Sequence, residues 1–173
     1  WISGYFGSTA NISGSDLPSV GATRYYYGYV FDNAGNPSLA STGDYVTLDT
    51  IPPTTAVTIA NATYSPSTFT PHSDIINGTT NDTGGASVSS VQLKIYNGTD
   101  YWTGSIWGSE TWLAVTTGTT TWKYTIDDNN FTNGLTYTVT AKATDTAGNI
   151  TTSGFGSDSF VYDNSSPDAP SGL

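Results

Sequence analysis

Leu135-Thr136-Tyr137-Thr138-Val139-Thr140-Ala141-Lys142-Ala143-Thr144-Asp145-Thr146-Ala147-Gly148-Asn149 is the stretch that decides how the rest of this chain is read. Apolar side chains fall at every second position from Leu135 to Ala143, with threonine and lysine between them. Successive side chains on a strand point to opposite faces, so a period of two places one face in a core and the other in water. The run ends in Asp-Thr-Ala-Gly-Asn, a turn sequence in which an Asp carboxylate bonds nearby amides and glycine adopts positive φ freely. A counterpart of that ending, Val30-Phe31-Asp32-Asn33-Ala34-Gly35-Asn36, lies 113 residues earlier. It also follows a strand-like stretch, residues 24–30, and precedes another. There Gly43-Asp44-Tyr45-Val46-Thr47-Leu48-Asp49 answers Ser157-Asp158-Ser159-Phe160-Val161-Tyr162-Asp163 after one inserted residue. Each copy then reaches a proline, Pro53 or Pro167. A supersecondary unit that recurs in this way predicts a tandem repeat.

The same alternation appears in Val91-Leu93-Ile95 and Trp122-Tyr124-Ile126, and turn pairs such as Asn77-Gly78, Asn97-Gly98 and Asn133-Gly134 punctuate the chain. Candidate strands are residues 55–60, 74–80, 89–96, 101–107, 111–116, 120–126, 136–144 and 158–162, and no segment has helical periodicity. Short strands at such spacing predict an all-β fold, an antiparallel immunoglobulin-like β-sandwich in tandem repeats. Residues 51–164 are expected to form one complete sandwich. Residues 1–50, with candidate strands at 2–6, 10–13, 23–31 and 44–48, correspond to the C-terminal half of another, and residues 165–173 to a linker into a following domain. A half sandwich leaves backbone edges and an apolar face open, so its missing strands are expected from preceding polypeptide or from a neighbouring subunit by strand addition.

Composition narrows the function. Aromatic residues make up 13% of the chain, enough for a packed interior despite the abundant Ser, Thr, Asn and Gly. The formal net charge of −10 rests on 14 acidic residues against Arg24, Lys94, Lys123 and Lys142, which repels nucleic acid and anionic membranes and attracts cations. With no cysteine, thiol nucleophiles, disulfides and thiolate metal sites are excluded. No segment approaches the roughly 18 apolar residues of a membrane span, so direct insertion by this segment is not expected.

The carriers of a family resemblance come in order along the central unit. They are Asn77-Gly78-Thr79-Thr80-Asn81-Asp82-Thr83-Gly84-Gly85, Tyr101-Trp102-Thr103-Gly104-Ser105-Ile106-Trp107, Glu110-Thr111-Trp112-Leu113, Thr121-Trp122-Lys123-Tyr124 and the stretch 135–149. In this order they resemble the immunoglobulin-like (Big-type) repeats of giant bacterial and archaeal surface proteins. The resemblance implies stalks, adhesins and cell-surface scaffolds, some of which bind calcium near domain junctions. The first unit departs from the pattern at Gly28 and Pro37, where the second has Ala141 and Ile150.

Three sets of residues carry candidate chemistry. Asp145 with Asp163, and Asp32 with Asp49, offer carboxylates for a hard cation such as Ca2+; the plainer reading of Asp32 and Asp145 is an Asx-type turn bond. Against the paired site, a fully traversed last strand would separate Asp145 and Asp163 to opposite ends of the sandwich. Asp82 and Asp100 are further loop carboxylates. Trp102, Trp107 and Trp112 cluster around one hairpin and could stack on glycans, or could fill the core and staple the strands. Asn-X-Ser/Thr triplets occur at Asn11, Asn61, Asn77, Asn81, Asn97, Asn130, Asn149 and Asn164, which reads as glycosylation of an exposed surface or as turn chemistry.

No catalytic constellation emerges. His72 is the only histidine, with no Ser or Asp tied to it, and the adjacent Asp127 and Asp128 do not face each other across a substrate as glycoside hydrolysis needs. The expectation is a noncatalytic extracellular repeat at the cell surface, a stalk or scaffold. It requires no cofactor and has Ca2+ as its candidate ion. Its partners are neighbouring repeats or identical subunits, with cell-surface glycans as candidate ligands. Alternatives are a filament subunit assembled by β-strand complementation and a carbohydrate-binding module of a secreted enzyme.

Overall fold

The computed structural model describes residues 19–59, 63–65 and 76–168. The fold is all-β. Its strands, in chain order, are β1 (Thr23–Tyr26), β2 (Asp44–Thr47), β3 (Thr54–Thr58), β4 (Thr63–Tyr64), β5 (Ile76–Asn81) and β6 (Val88–Tyr96). The order continues with β7 (Tyr101–Trp102), β8 (Trp107–Gly108), β9 (Leu113–Ala114), β10 (Thr121–Tyr124), β11 (Thr136–Asp145) and β12 (Gly156–Tyr162). β1 and β2 form an antiparallel pair of their own. The remaining strands make two sheets, β10-β5-β3 and β4-β12-β11-β6-β7-β8, with β9 on β6.

The two larger sheets pack as a sandwich because each turns its apolar row inward. On β11, Tyr137, Val139, Ala141, Ala143 and Asp145 are all buried while the residues between them are not, as the period of two requires. Opposite them across the β11–β6 ladder stand Ile95, Leu93 and Val91, also buried. Ile76 and Trp122 supply the facing sheet, and both are fully enclosed. At one end Phe131 lies edge-on to Tyr137, with ring centroids 4.6 Å apart, and to Phe160 at 5.4 Å. Burying each such side chain stabilises the fold by about 1.5–3 kcal/mol, and aromatic pairing adds to this. Trp122 fits only because β5 carries Gly78 beside it; a Cβ there would overlap both the indole and the Ala56 carbonyl oxygen.

Several elements differ from the sequence expectation. The candidate strand 101–107 is a hairpin, β7 and β8, bent at Gly104 with φ of 100°, because only glycine relieves that turn. The strand expected over 23–31 runs as a regular ladder only as far as Tyr26, beyond which pairing continues as scattered bonds and one isolated bridge, Phe31 to Pro37. Residues 127–130 hold one 3-10 turn, Asp128–Asn130, whose N-cap Asp127 accepts from the Asn129 amide. One pairing is parallel: after β3 the chain moves to the other sheet, where β4 lies beside β12 and covers its edge. The candidate strands 2–6 and 10–13, and most of the linker 165–173, lie outside the described residues.

Candidate metal centre at one end of the sandwich

The two Asp-X-Ala-Gly-Asn sequences build one and the same turn. In the first, Asp32 Oδ1 accepts from the Ala34 and Asn36 amides, each at 2.9 Å, and Oδ2 from Asn36 Nδ2 at 2.9 Å. In the second, Asp145 Oδ1 accepts from the Asn149 amide at 2.8 Å and Oδ2 from Asn149 Nδ2 at 2.8 Å. The backbone repeats as well, with Asp32 N–H donating to Asn36 O at 3.0 Å and Asp145 N–H to Asn149 O at 3.1 Å. Gly35 and Gly148 take φ of 86° and 93°, as the sequence reading requires.

What separates the copies is cover. Asp32 is exposed, whereas Asp145 is 2% exposed. A register shift in the β11–β6 ladder between Thr144 and Asp145 sets Asp145 against Val88 at the sandwich end. Burial pushes the Asp145 carboxyl up, but hydrogen bonds from Asn149, Ala147 and Gly148 outweigh it and hold the group below its ordinary value. Asp145 is therefore an ionised, enclosed carboxylate at neutral pH.

Two other carboxylates converge on it. Asp49, where the chain leaves β2, accepts from Ile51 N–H through Oδ1 at 2.9 Å and from Ala86 N–H through Oδ2 at 2.6 Å. Asn149 Nδ2 reaches back to it, donating to the Asp49 carbonyl oxygen at 3.2 Å. Asp82, following β5, accepts from Gly84 N–H through Oδ1 at 3.1 Å, while its Oδ2 is closed off from water with no hydrogen-bond partner. Gly84 makes room for them, since a Cβ there would overlap the Asp49 carboxylate and displace it. Asp49, Asp82 and Asp145 each offer an oxygen within 4.8 Å of the others. Three oxygens spaced evenly at about 2.6 Å from one Ca2+ stand about 4.5 Å apart, so the cluster is close to the size that a single hard cation requires and would need at most a slight inward movement to hold one.

No protein-family model matches the chain, and no curated protein matches its sequence.

The structure regroups the acidic residues expected from the sequence. Asp49 and Asp145 meet each other, not Asp32 and Asp163. β12 runs the length of the sandwich from Gly156 to Tyr162, so Asp163 emerges away from the Asp145 turn and caps its own exit, accepting from Ser165 N–H at 2.8 Å. That bond holds the Asp163 carboxyl below its ordinary value. Asp32 stays in its own turn. The sequence shows Asp82 only as one loop carboxylate among others, and nothing in its spacing singles it out.

The tryptophans divide. Trp102 is buried and donates from Nε1 to the Tyr124 hydroxyl at 3.1 Å. Trp107 packs at 5.5 Å from Trp102 and 5.4 Å from Tyr137, donating to Asn130 O at 2.8 Å. Both serve the core. Trp112, partly exposed, lies instead against Lys94, Lys142 and Phe155.

Of the Asn-X-Ser/Thr sites, Asn11 and Asn61 lie outside the described residues. Asn77 and Asn81 sit on β5, Asn97 accepts two turn amides through Oδ1, and Asn164 is exposed. The Asn130 and Asn149 side-chain nitrogens, where a glycan would attach, are engaged with Asp127 O and with Asp145 and Asp49.

Proposed function

We propose that this chain is a noncatalytic, extracellular structural segment, a tandem immunoglobulin-like repeat that acts as a stalk or surface scaffold. The observation that carries the reading is the position of Asp49. It ends the β1–β2 unit, and its carbonyl and carboxylate are tied to Asn149 and Ala86 of the sandwich that follows. The twin turns at Asp32 and Asp145 support a repeated unit, and Ile51-Pro52-Pro53 restricts the backbone beyond the joint. A spacer works by geometry: strand ladders carry load along each unit, and a braced joint limits bending between units. Ca2+ held by Asp49, Asp82 and Asp145 would offset two of the three carboxylate charges and stabilise the joined arrangement over the parted one. Neighbouring repeats are the partners of such a segment. Among the described residues no helix is long and apolar enough to cross a membrane.

A second reading, a filament subunit completed by strands from a neighbouring copy, is favoured by the β1–β2 unit. Tyr25, Tyr27, Phe31 and Tyr45 are each more than half exposed there. Sedimentation and electron microscopy of the purified chain separate the two. Single elongated particles are expected for a spacer, and ordered fibres of one short subunit would replace that reading with strand exchange.

A further inference from the structure

Half of the cations in this acidic chain gather at one indole. Lys94 and Lys142 are two of four Lys and Arg residues. Lys142 Nζ lies 4.3 Å from the centroid of the Trp112 ring and Lys94 Nζ lies 5.0 Å from it. Lys94 also stands 5.3 Å from the Tyr101 ring centroid. On neighbouring strands β6 and β11, Lys94 faces Thr140 and Lys142 faces Gln92. These positions alternate with the buried Leu93, Ile95, Ala141 and Ala143, so both lysines stand on the outer face of the sheet. Trp112 precedes β9 at the far side of β6, where Leu113 pairs with Leu93. Its indole therefore spans β6 to reach the lysine on β11. Phe155, 40% exposed, continues the aromatic surface with its ring 5.8 Å from Trp112.

We propose that this outer face, centred on Trp112, Lys94 and Lys142, binds an acidic saccharide of the hexuronate type. The indole is partly exposed, and the part of its ring left open by the lysines offers an apolar surface to the C–H face of a pyranose ring. The ammonium groups beside it supply charge-assisted hydrogen bonds to a carboxylate on that ring. Charge selects the acidic sugar. Glu110 pairs with Lys94 at 2.7 Å, whereas Lys142 makes no ion pair among the described residues, so the patch carries an unbalanced positive charge. The net charge of −10 opposes polyanions at long range, but screening within about 8 Å at physiological salt leaves the local charge in command. The Thr140 and Ser157 hydroxyls, 3.5 Å apart, extend the polar row beside the lysines. This assignment is independent of the spacer reading, since a stalk functions with or without it.

The test is calorimetric titration of the whole chain with galacturonate trimers, and with neutral cellotriose for comparison. Saturable binding of the galacturonate is expected, with cellotriose about tenfold weaker or worse, and Lys142→Gln is expected to lose about tenfold in affinity while remaining folded, its melting temperature lowered by no more than a few degrees. Trp112→Phe, which retains a smaller ring, should lose less than Trp112→Ala. Failure of galacturonate to bind at millimolar concentration would overturn the proposal. So would equal affinity for the neutral sugar, or a Lys142→Gln variant that binds as tightly as the native chain. Self-association that Lys142→Gln abolishes would give the patch to the acidic surface of a second copy and would equally overturn it.

Discussion

The side-chain amide of Asn149 donates to the main-chain oxygen of Asp49 at 3.2 Å, across 100 residues of sequence, while also holding Asp145 Oδ2 at 2.8 Å. One amide group thus closes a turn of the sandwich and fastens the segment that enters it. The corresponding Asn36 closes the same turn and, among the described residues, has no such second task.

The two asparagines should respond differently to truncation. Asn149→Ala strands an enclosed carboxylate and is expected to cost about 1–3 kcal/mol, whereas Asn36→Ala, with Asp32 open to water, should cost less than about 1 kcal/mol. Urea unfolding of the two variants checks this, with the difference between them as the deciding quantity.

Acid should loosen the fold through Asp145. Its carboxyl is held below the ordinary value in the folded chain, so the stabilisation is complete above the unfolded value of about 3.9 and is lost as pH falls through the lower folded value. Melting temperatures measured in chelator from pH 6 down to pH 2 should therefore fall below about pH 4. Asp145→Asn should start lower at pH 6 and show a flatter acid limb.

Gly78 should tolerate no side chain. Alanine there overlaps the Trp122 ring and the Ala56 carbonyl oxygen, so Gly78→Ala is expected to destabilise by about 1–3 kcal/mol or more. Gly108→Ala, whose Cβ would meet Thr103 at an ordinary 3.8 Å, is the matched control and should stay within about 0.5 kcal/mol. Thermal melts of both variants decide it.

Calcium should raise the melting temperature. At a free concentration a hundredfold above its dissociation constant the ion adds about 2.7 kcal/mol, several degrees for a domain of this size. Asp82→Asn should abolish the rise, whereas Asp163→Asn should leave it intact because Asp163 caps its own strand exit. Differential scanning calorimetry in millimolar calcium and in chelator provides the comparison.

The strands were legible because a half-buried strand writes its period into the sequence: residues 136–144 and 89–96 match β11 and β6 to within a residue. The 101–107 stretch was not, because Gly104 could equally interrupt a strand or end one. The twin turns were readable down to the Asp that anchors them. The acidic cluster was only partly so, since it joins residues far apart in sequence, and which ends of the sandwich coincide depends on strand direction and on where the chain enters. Nor does residue type tell Trp112 from Trp102. One lies across the outside of the sheet and the other inside it, and that depends on the register of β9 against β6.

The brace between Asp49 and Asn149 holds the β1–β2 unit to the sandwich, and a distance distribution between the two reads it out. The chain has no native cysteine, so Asn33→Cys and Ser159→Cys place one spin label on each unit at exposed positions without competing thiols. Pulsed electron–electron resonance in calcium should give one narrow distance, which broadens in chelator and broadens further in Asn149→Ala. A broad distribution in the native chain, unchanged by either treatment, would contradict it.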